Sequence, residues 1–235
     1  MALRFLLAAL LGGICYLDRT AGPQVMLHRP LIAGSIAGAI FGDFFAGATA
    51  GAILELLYIA RLPVGASIPP DDTGAAIFAG AGAATAATAV GSEIHYAVLA
   101  ALLLLSVPCA ETGKVADRFV RRINGRIAHL TIDAVDRGDV AAVDHGLVAG
   151  FTLFAAVGVG MSLLFAGLGV AAGHWIPAVL SPGEGAGFAR MFPLLPLLGA
   201  ASVLSCTRSE RSAVAFYVSM AAAFAVVLAW RWWMR

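Results

Sequence analysis

Charge is what this sequence has least of. Of its 235 residues, 12% are Asp, Glu, Lys or Arg and 60% are hydrophobic, where a soluble domain carries about 25% charged residues. No soluble fold of this size has enough interior to hide that much apolar surface, so a soluble protein is excluded and an integral membrane protein expected. The net charge of +1 lacks the basic excess of a nucleic-acid binder, and no nucleic-acid partner is expected. Cysteine is scarce. Cys15, Cys109 and Cys206 lie far apart in apolar segments, which excludes a disulfide framework and a thiolate metal site. The five histidines show no metal-ligand pattern. Gly113-Lys114 lacks the upstream glycine and the following Ser or Thr of a P-loop, which removes nucleotide hydrolysis by that route. No cofactor or metal is expected.

Long apolar runs are what the chain has in abundance. Stretches free of Asp, Glu, Lys and Arg cover Phe5–Leu17, Pro30–Gly42, Thr73–Ser92, Ile94–Ala110, His145–Gly183, Met191–Thr207 and Ser212–Trp230. A span needs about 20 mostly apolar residues, so several helices cross the membrane. Phe5–Tyr16 after Arg4 has the look of a signal peptide, but Asp18-Arg19 follows without a small-residue cleavage site, and an uncleaved first helix is expected. His145–Gly183 reads either as one long tilted span or as a span plus a short re-entrant piece ending at Pro177. Arg231–Arg235, with its two tryptophans, reads as an interfacial anchor.

Pro30–Gly42 and Phe44–Leu54 are each too short to cross alone, and Gly42-Asp43 falls between them. Asp43 suits the N-cap of a helix from Phe44 to about Ala60. Two half-helices that meet at a break are expected, the alternative being one long span from Pro30 to Arg61. Fourteen of the twenty residues from Ala33 to Ala52 are Ala, Gly, Ser or Thr, with glycines four apart at Gly34, Gly38 and Gly42 and at Gly47 and Gly51. Such spacing lets helix backbones approach closely inside a bilayer.

Asp43 and Glu55 stand in this oily stretch, and an ionisable residue at membrane depth is by default a functional-site hypothesis. Twelve residues separate them, about 18 Å along a continuous helix, so they form no close catalytic dyad. Asp43 organises the break. Glu55, a pure acceptor, suits the vicinal hydroxyls of a sugar, with a structural bond to a neighbouring helix or to Arg61 as the alternative. In the Arg61–Thr73 turn, Pro63, Pro69 and Pro70 forbid a continuous helix. Asp71 or Asp72 can cap a helix beginning near Thr73 and can contact substrate there. His28-Arg29-Pro30 reads as the start of the first half-helix.

Glu111–Asp144 is the charge-rich exception. Ile123, Ile127, Leu130 and Ala134 recur at helical spacing among six basic and six acidic residues, which reads as an amphipathic helix along the membrane surface. Basic residues favour the cytoplasmic side.

Leu17-Asp18, His28–Ile32 (HRPLI), Gly42-Asp43, Gly47, Gly51, Leu54-Glu55 and Val64–Asp71 (VGASIPPD), in that order and with these gaps, resemble the membrane IIC subunit of mannose/fructose/sorbose-type phosphotransferase systems. The resemblance is most specific from Leu17 to Gly80. It implies one all-α, multi-pass permease domain over residues 1–235, with broken or re-entrant helices, in the cytoplasmic membrane of a bacterium. It implies a hexose as substrate, a IID membrane subunit as partner, an oligomer, and cytoplasmic IIA and IIB phosphocarriers, with phosphoryl transfer left to IIB rather than to this chain. By position it places Glu55 and Asp71, with Asp72 beside it, near the sugar, and Gly42, Asp43, His28, Arg29 and Pro30 in the helix break and helix start. Arg61 and Pro63 depart from it, standing about where similar sequences carry a Trp-x-Asn pair. Two rivals follow from the same residues: a non-transporting scaffold or sensor that recruits phosphotransferase components, and an intramembrane aspartyl protease using Asp18 and Asp43.

Overall fold

The computed structural model of the protein describes residues 1–61, 67–88 and 92–206. Among them every regular element is helical: α1 (Ala2–Thr20), α2 (Pro30–Phe41), α3 (Phe44–Tyr58), α4 (Asp72–Ala87), α5 (Ser92–Asp136), α6 (Ala142–Val179), α7 (Pro182–Met191) and α8 (Leu194–Cys206). Three stretches, His95–Asp136, Ala142–Val179 and Gly183–Leu204, are long and apolar enough to cross a membrane. Pro63 and the start of the VGASIPPD turn, Arg208, Arg211, the last apolar run and the Arg231–Arg235 anchor lie outside the described residues.

The chain breaks at Gly42-Asp43. Gly42 takes φ +122°, a conformation that costs glycine little and other residues much. Asp43 then caps α3, its carboxylate accepting from the Ala46 N–H at 2.9 Å. At the C-terminal end of α2 the Arg4 guanidinium donates to the Phe41 carbonyl at 3.0 Å, where a cation complements the helix dipole. The alternative of one span from Pro30 to Arg61 is thereby excluded.

α2 and α3 fold back on each other along a seam of glycines. A Cβ on Gly38 would lie 2.6 Å from the Gly47 Cα and from the Asp43 carbonyl, and one on Gly34 would lie 3.0 Å from the Gly51 Cα. These neighbours are backbone and cannot swing aside. Gly38→Val is therefore expected to separate the pair. Overpacking of this kind costs about 1–3 kcal/mol and should show as a lowered unfolding temperature in detergent, whereas Gly160→Ala, facing open space, should not.

α4 occupies the centre. Every residue from Thr73 to Ala86 is buried, the pattern of a helix enclosed on all sides, and it packs on α2, α3, α5 and α6. α5 has 45 residues, about 67 Å at 1.5 Å per residue, far more than the ~30 Å hydrocarbon thickness. The charge-rich stretch is helical to Asp136 as an unbroken continuation of the apolar half of α5, turns at residues 137–141, and ends in the first turn of α6. α6 is a single helix of 38 residues that reaches past Pro177, which decides between the two readings of the long apolar run. α7 has no counterpart in the apolar-run reading. Its signal is the capping box Ser181-Pro-Gly-Glu184, with both reciprocal bonds formed.

Candidate functional site

The end of α1, the start of α2, the end of α3 and the start of α4 meet at one level of the bundle, and their charged residues form a connected layer. Asp71 is its hub. It is 1% exposed and caps α4 through the Gly74 N–H at 3.0 Å. Its Oδ1 also accepts from Arg19 at 2.9 Å, and its Oδ2 accepts from the Tyr16 hydroxyl. The second Arg19 nitrogen donates to the Pro70 carbonyl at 3.1 Å. The Asp71 N–H donates to the Ala110 carbonyl of α5 at 2.9 Å, and a Cβ on Gly113 would strike the Asp71 carboxylate. Asp71 thus has fewer open lone pairs than a free acceptor for sugar. Asp72 stands 3.7 Å from Arg19 and is the more accessible of the two, its side chain 21% exposed.

Asp18 is the second buried carboxylate, 2% exposed. It accepts from the Val25 N–H at 2.7 Å and pairs with the His28 Nδ1 at 2.8 Å. The His28 carbonyl in turn accepts from the Thr73 hydroxyl at 2.6 Å, which ties the α2 start to α4. Glu55 forms an ion pair with Arg29 and accepts from the Leu31 N–H at 3.2 Å, so it also serves the open N-terminus of α2. Its cationic partner is Arg29 rather than Arg61. Pro30 sits at the first position of α2, where its missing N–H costs nothing.

Glu55, Asp71, Asp72, His28 and Arg29 are therefore brought together, while Gly42 and Asp43 lie at the far end of the twelve-residue α2, about 18 Å away. That separation also removes the protease reading, because Asp18 sits with His28 at one end of α2 and Asp43 at the other. Tyr16 and Arg19 are layer residues that sequence reasoning did not assign to a site, and Asp18 entered it only as part of the family pattern and of the protease reading. Their signal was an Asp-Arg pair closing an apolar run, which reads equally well as an ordinary span end.

Beside the layer lies a cavity of about 120 Å³ lined by Arg19, His28, Arg29, Tyr58, Arg61, Asp72 and Arg121 among others. Arg121 comes from the charge-rich half of α5 and pairs with Asp117 at 3.1 Å. The cavity is thus at the bundle end from which that half projects.

A helical bundle with a re-entrant pair, an enclosed central helix and a polar layer beside a cavity defines a multi-pass membrane protein of the transporter kind. Residues 2–230 match the family described as the PTS system sorbose-specific IIC component, and the chain belongs to that family of phosphotransferase sugar-transport components. It is 29% identical over 143 residues to the mannose-specific EIIC component of Escherichia coli K12, covering 61% of this chain and 48% of that protein. It is 28% identical over 121 residues to the sorbose-specific EIIC component of Klebsiella pneumoniae, covering 52% and 42%. To the fructose permease IIC component of Bacillus subtilis it is 27% identical over 142 residues, covering 60% and 48%. The chain thus spans about half the length of the curated relatives it matches. Two solved structures share the fold: one titled as a membrane protein (TM-score 0.73, 22% identity, covering 95% of this chain and 87% of that chain), and the mannose transporter ManYZ in complex with microcin E492 (TM-score 0.61, 22% identity, covering 95% and 86%).

Proposed function

We propose that this chain is the IIC permease subunit of a phosphoenolpyruvate-dependent phosphotransferase system, and that it binds a hexose and moves it across the bacterial cytoplasmic membrane together with a IID subunit. The observation that carries the reading is the polar layer itself. Five carboxylates (Asp18, Glu55, Asp71, Asp72 and Asp117) and four arginines (Arg19, Arg29, Arg61 and Arg121) lie in and around it, within a chain of which 60% is hydrophobic. Charged groups are costly inside a membrane and, where present, line water-filled paths. Glu55 and Asp72 are the direct sugar contacts in this reading. Asp71 belongs to the same site and acts chiefly by holding Arg19 and Tyr16 beside it. One packed block bearing the Glu55 and Asp71 region shifts against another and exposes the site to either side in turn. Phosphoryl transfer to the sugar belongs to IIB, and IIA and IIB approach from the side on which α5 projects.

The test is uptake of labelled mannose, fructose and sorbose by a host lacking its own systems, which expresses this chain with the IID-like frame from its gene neighbourhood and the matching IIA and IIB. The reading expects accumulation of at least one hexose that depends on this chain. Membrane insertion and partner assembly without uptake of any of them would favour the scaffold or sensor instead.

A further inference from the structure

The lining of the cavity beside the polar layer is richer in guanidinium donors than in acceptors. Arg19, Arg29, Arg61 and Arg121 line it from four different segments of the chain, together with His28, against one lining carboxylate, Asp72. Asp71, Glu55 and Asp117 neutralise Arg19, Arg29 and Arg121 from behind. A guanidinium has five N–H donors in a fixed fork, and the bonds formed leave donors on each of the three. The Arg61 side chain forms no ion pair with any described residue. A volume of about 120 Å³ gives room for a tetrahedral oxyanion, since one water needs only about 10–15 Å³ on the same measure.

We propose that this cavity is a phosphate-class oxyanion site. Planar guanidinium groups lining one small polar space suit phosphate oxygens. A neutral sugar uses carboxylate and amide acceptors as well as donors, whereas the guanidinium donors left open here, with Arg61 in no ion pair among the described residues, suit an acceptor-rich anion. The site adjoins Glu55 and Asp72 and shares Asp72 with the permease reading, but it stands on the open donors of the arginines, to which that reading gives no sugar contact. Its occupant is a free phosphate, a phosphorylated sugar or a lipid phosphate reaching in from the bilayer surface.

The protein purified in maltoside, free of added lipid, provides the test. Thermal unfolding is followed in sodium phosphate and in sodium chloride of equal ionic strength, then with a hexose 6-phosphate and with short-chain phosphatidylglycerol. Phosphate should raise the unfolding temperature where chloride does not, and the half-saturating concentration should rise at least tenfold in Arg61→Gln. Arg61 is exposed, so this variant keeps the fold, and Arg121→Gln provides a second reading. A stronger effect of the sugar phosphate or of the lipid names the source of the anion and supports the site. Equal responses to phosphate and chloride, or a wild-type response in both variants, overturn it. The unphosphorylated hexose is tested alongside: its binding without any phosphate effect removes the oxyanion site and leaves the permease reading standing, and a phosphate effect without hexose binding keeps the anion site and leaves the permease reading to the uptake test with the IID subunit.

Discussion

Asp71→Ala should leave little folded protein. The change removes the N-cap of α4, worth about 1 kcal/mol. It also takes the carboxylate from Arg19, whose side chain is 12% exposed, and from the Tyr16 hydroxyl. Breaking a buried ion pair by deleting one partner costs about 3–5 kcal/mol, because the other charge stays buried. Asp72, 3.7 Å from Arg19, and the more distant Asp117 are left to offset it only in part. A loss of that size is a large fraction of the total stability of a domain. The readout is the yield of monodisperse protein in detergent together with its unfolding temperature. Asp71→Asn should fall between the two, since its amide oxygen still accepts from the Gly74 N–H while the full negative charge opposite Arg19 is gone. Wild-type yield and unfolding temperature in Asp71→Ala would show that the hub holds nothing together.

Glu55→Gln should do the opposite, abolishing transport while sparing the fold. The Gln amide still offers an oxygen to the Leu31 N–H, and Arg29, 32% exposed, can turn its charge toward water, so loss of the ion pair costs the fold only about 1 kcal/mol. If Glu55 accepts from sugar hydroxyls, removing its charge costs charge-assisted hydrogen bonds worth about 1.5–3 kcal/mol each. Losing two of them lowers uptake by at least a hundredfold, at 1.4 kcal/mol per tenfold. Labelled-hexose uptake measured beside membrane insertion separates the two effects. Uptake at the wild-type rate would make Glu55 a helix cap and an Arg29 partner only.

Much of this architecture was legible, for identifiable reasons. Gly42-Asp43 announced the helix break because a positive-φ residue followed by a capping carboxylate has few other uses, and the Asp71-Asp72 pair after two prolines announced the α4 start, though not which of the two caps it. The glycine spacing from Gly34 to Gly51 showed that two helices touch, though not that the touching pair was α2 and α3 themselves. That pairing follows from the break, which folds the chain back on itself. The partners of the carboxylates were not legible. Arg19 and Asp71 are 52 residues apart, and Ser162 reaches 154 residues back to the Ala8 carbonyl. No local spacing encodes such contacts. Glu55 illustrates the limit. Its presence in an oily helix was conspicuous, but whether it met Arg61, six residues on, or Arg29 on another helix depended on the fold-back. α7 was overlooked for a different reason: its ten residues, Pro182–Met191, interrupt the apolar runs, and only the capping box marks them.

The central claim is that a solute is recognised at the level of Glu55 and Asp72, where α1 to α4 meet. The most direct measurement is a structure of this chain with its IID partner solved in the presence of the hexose it accumulates. The account predicts sugar hydroxyls within hydrogen-bond distance of Glu55 and Asp72, beside the arginine-lined cavity. Sugar bound at the Gly42-Asp43 end of α2, or against helices that carry none of these carboxylates, would contradict it.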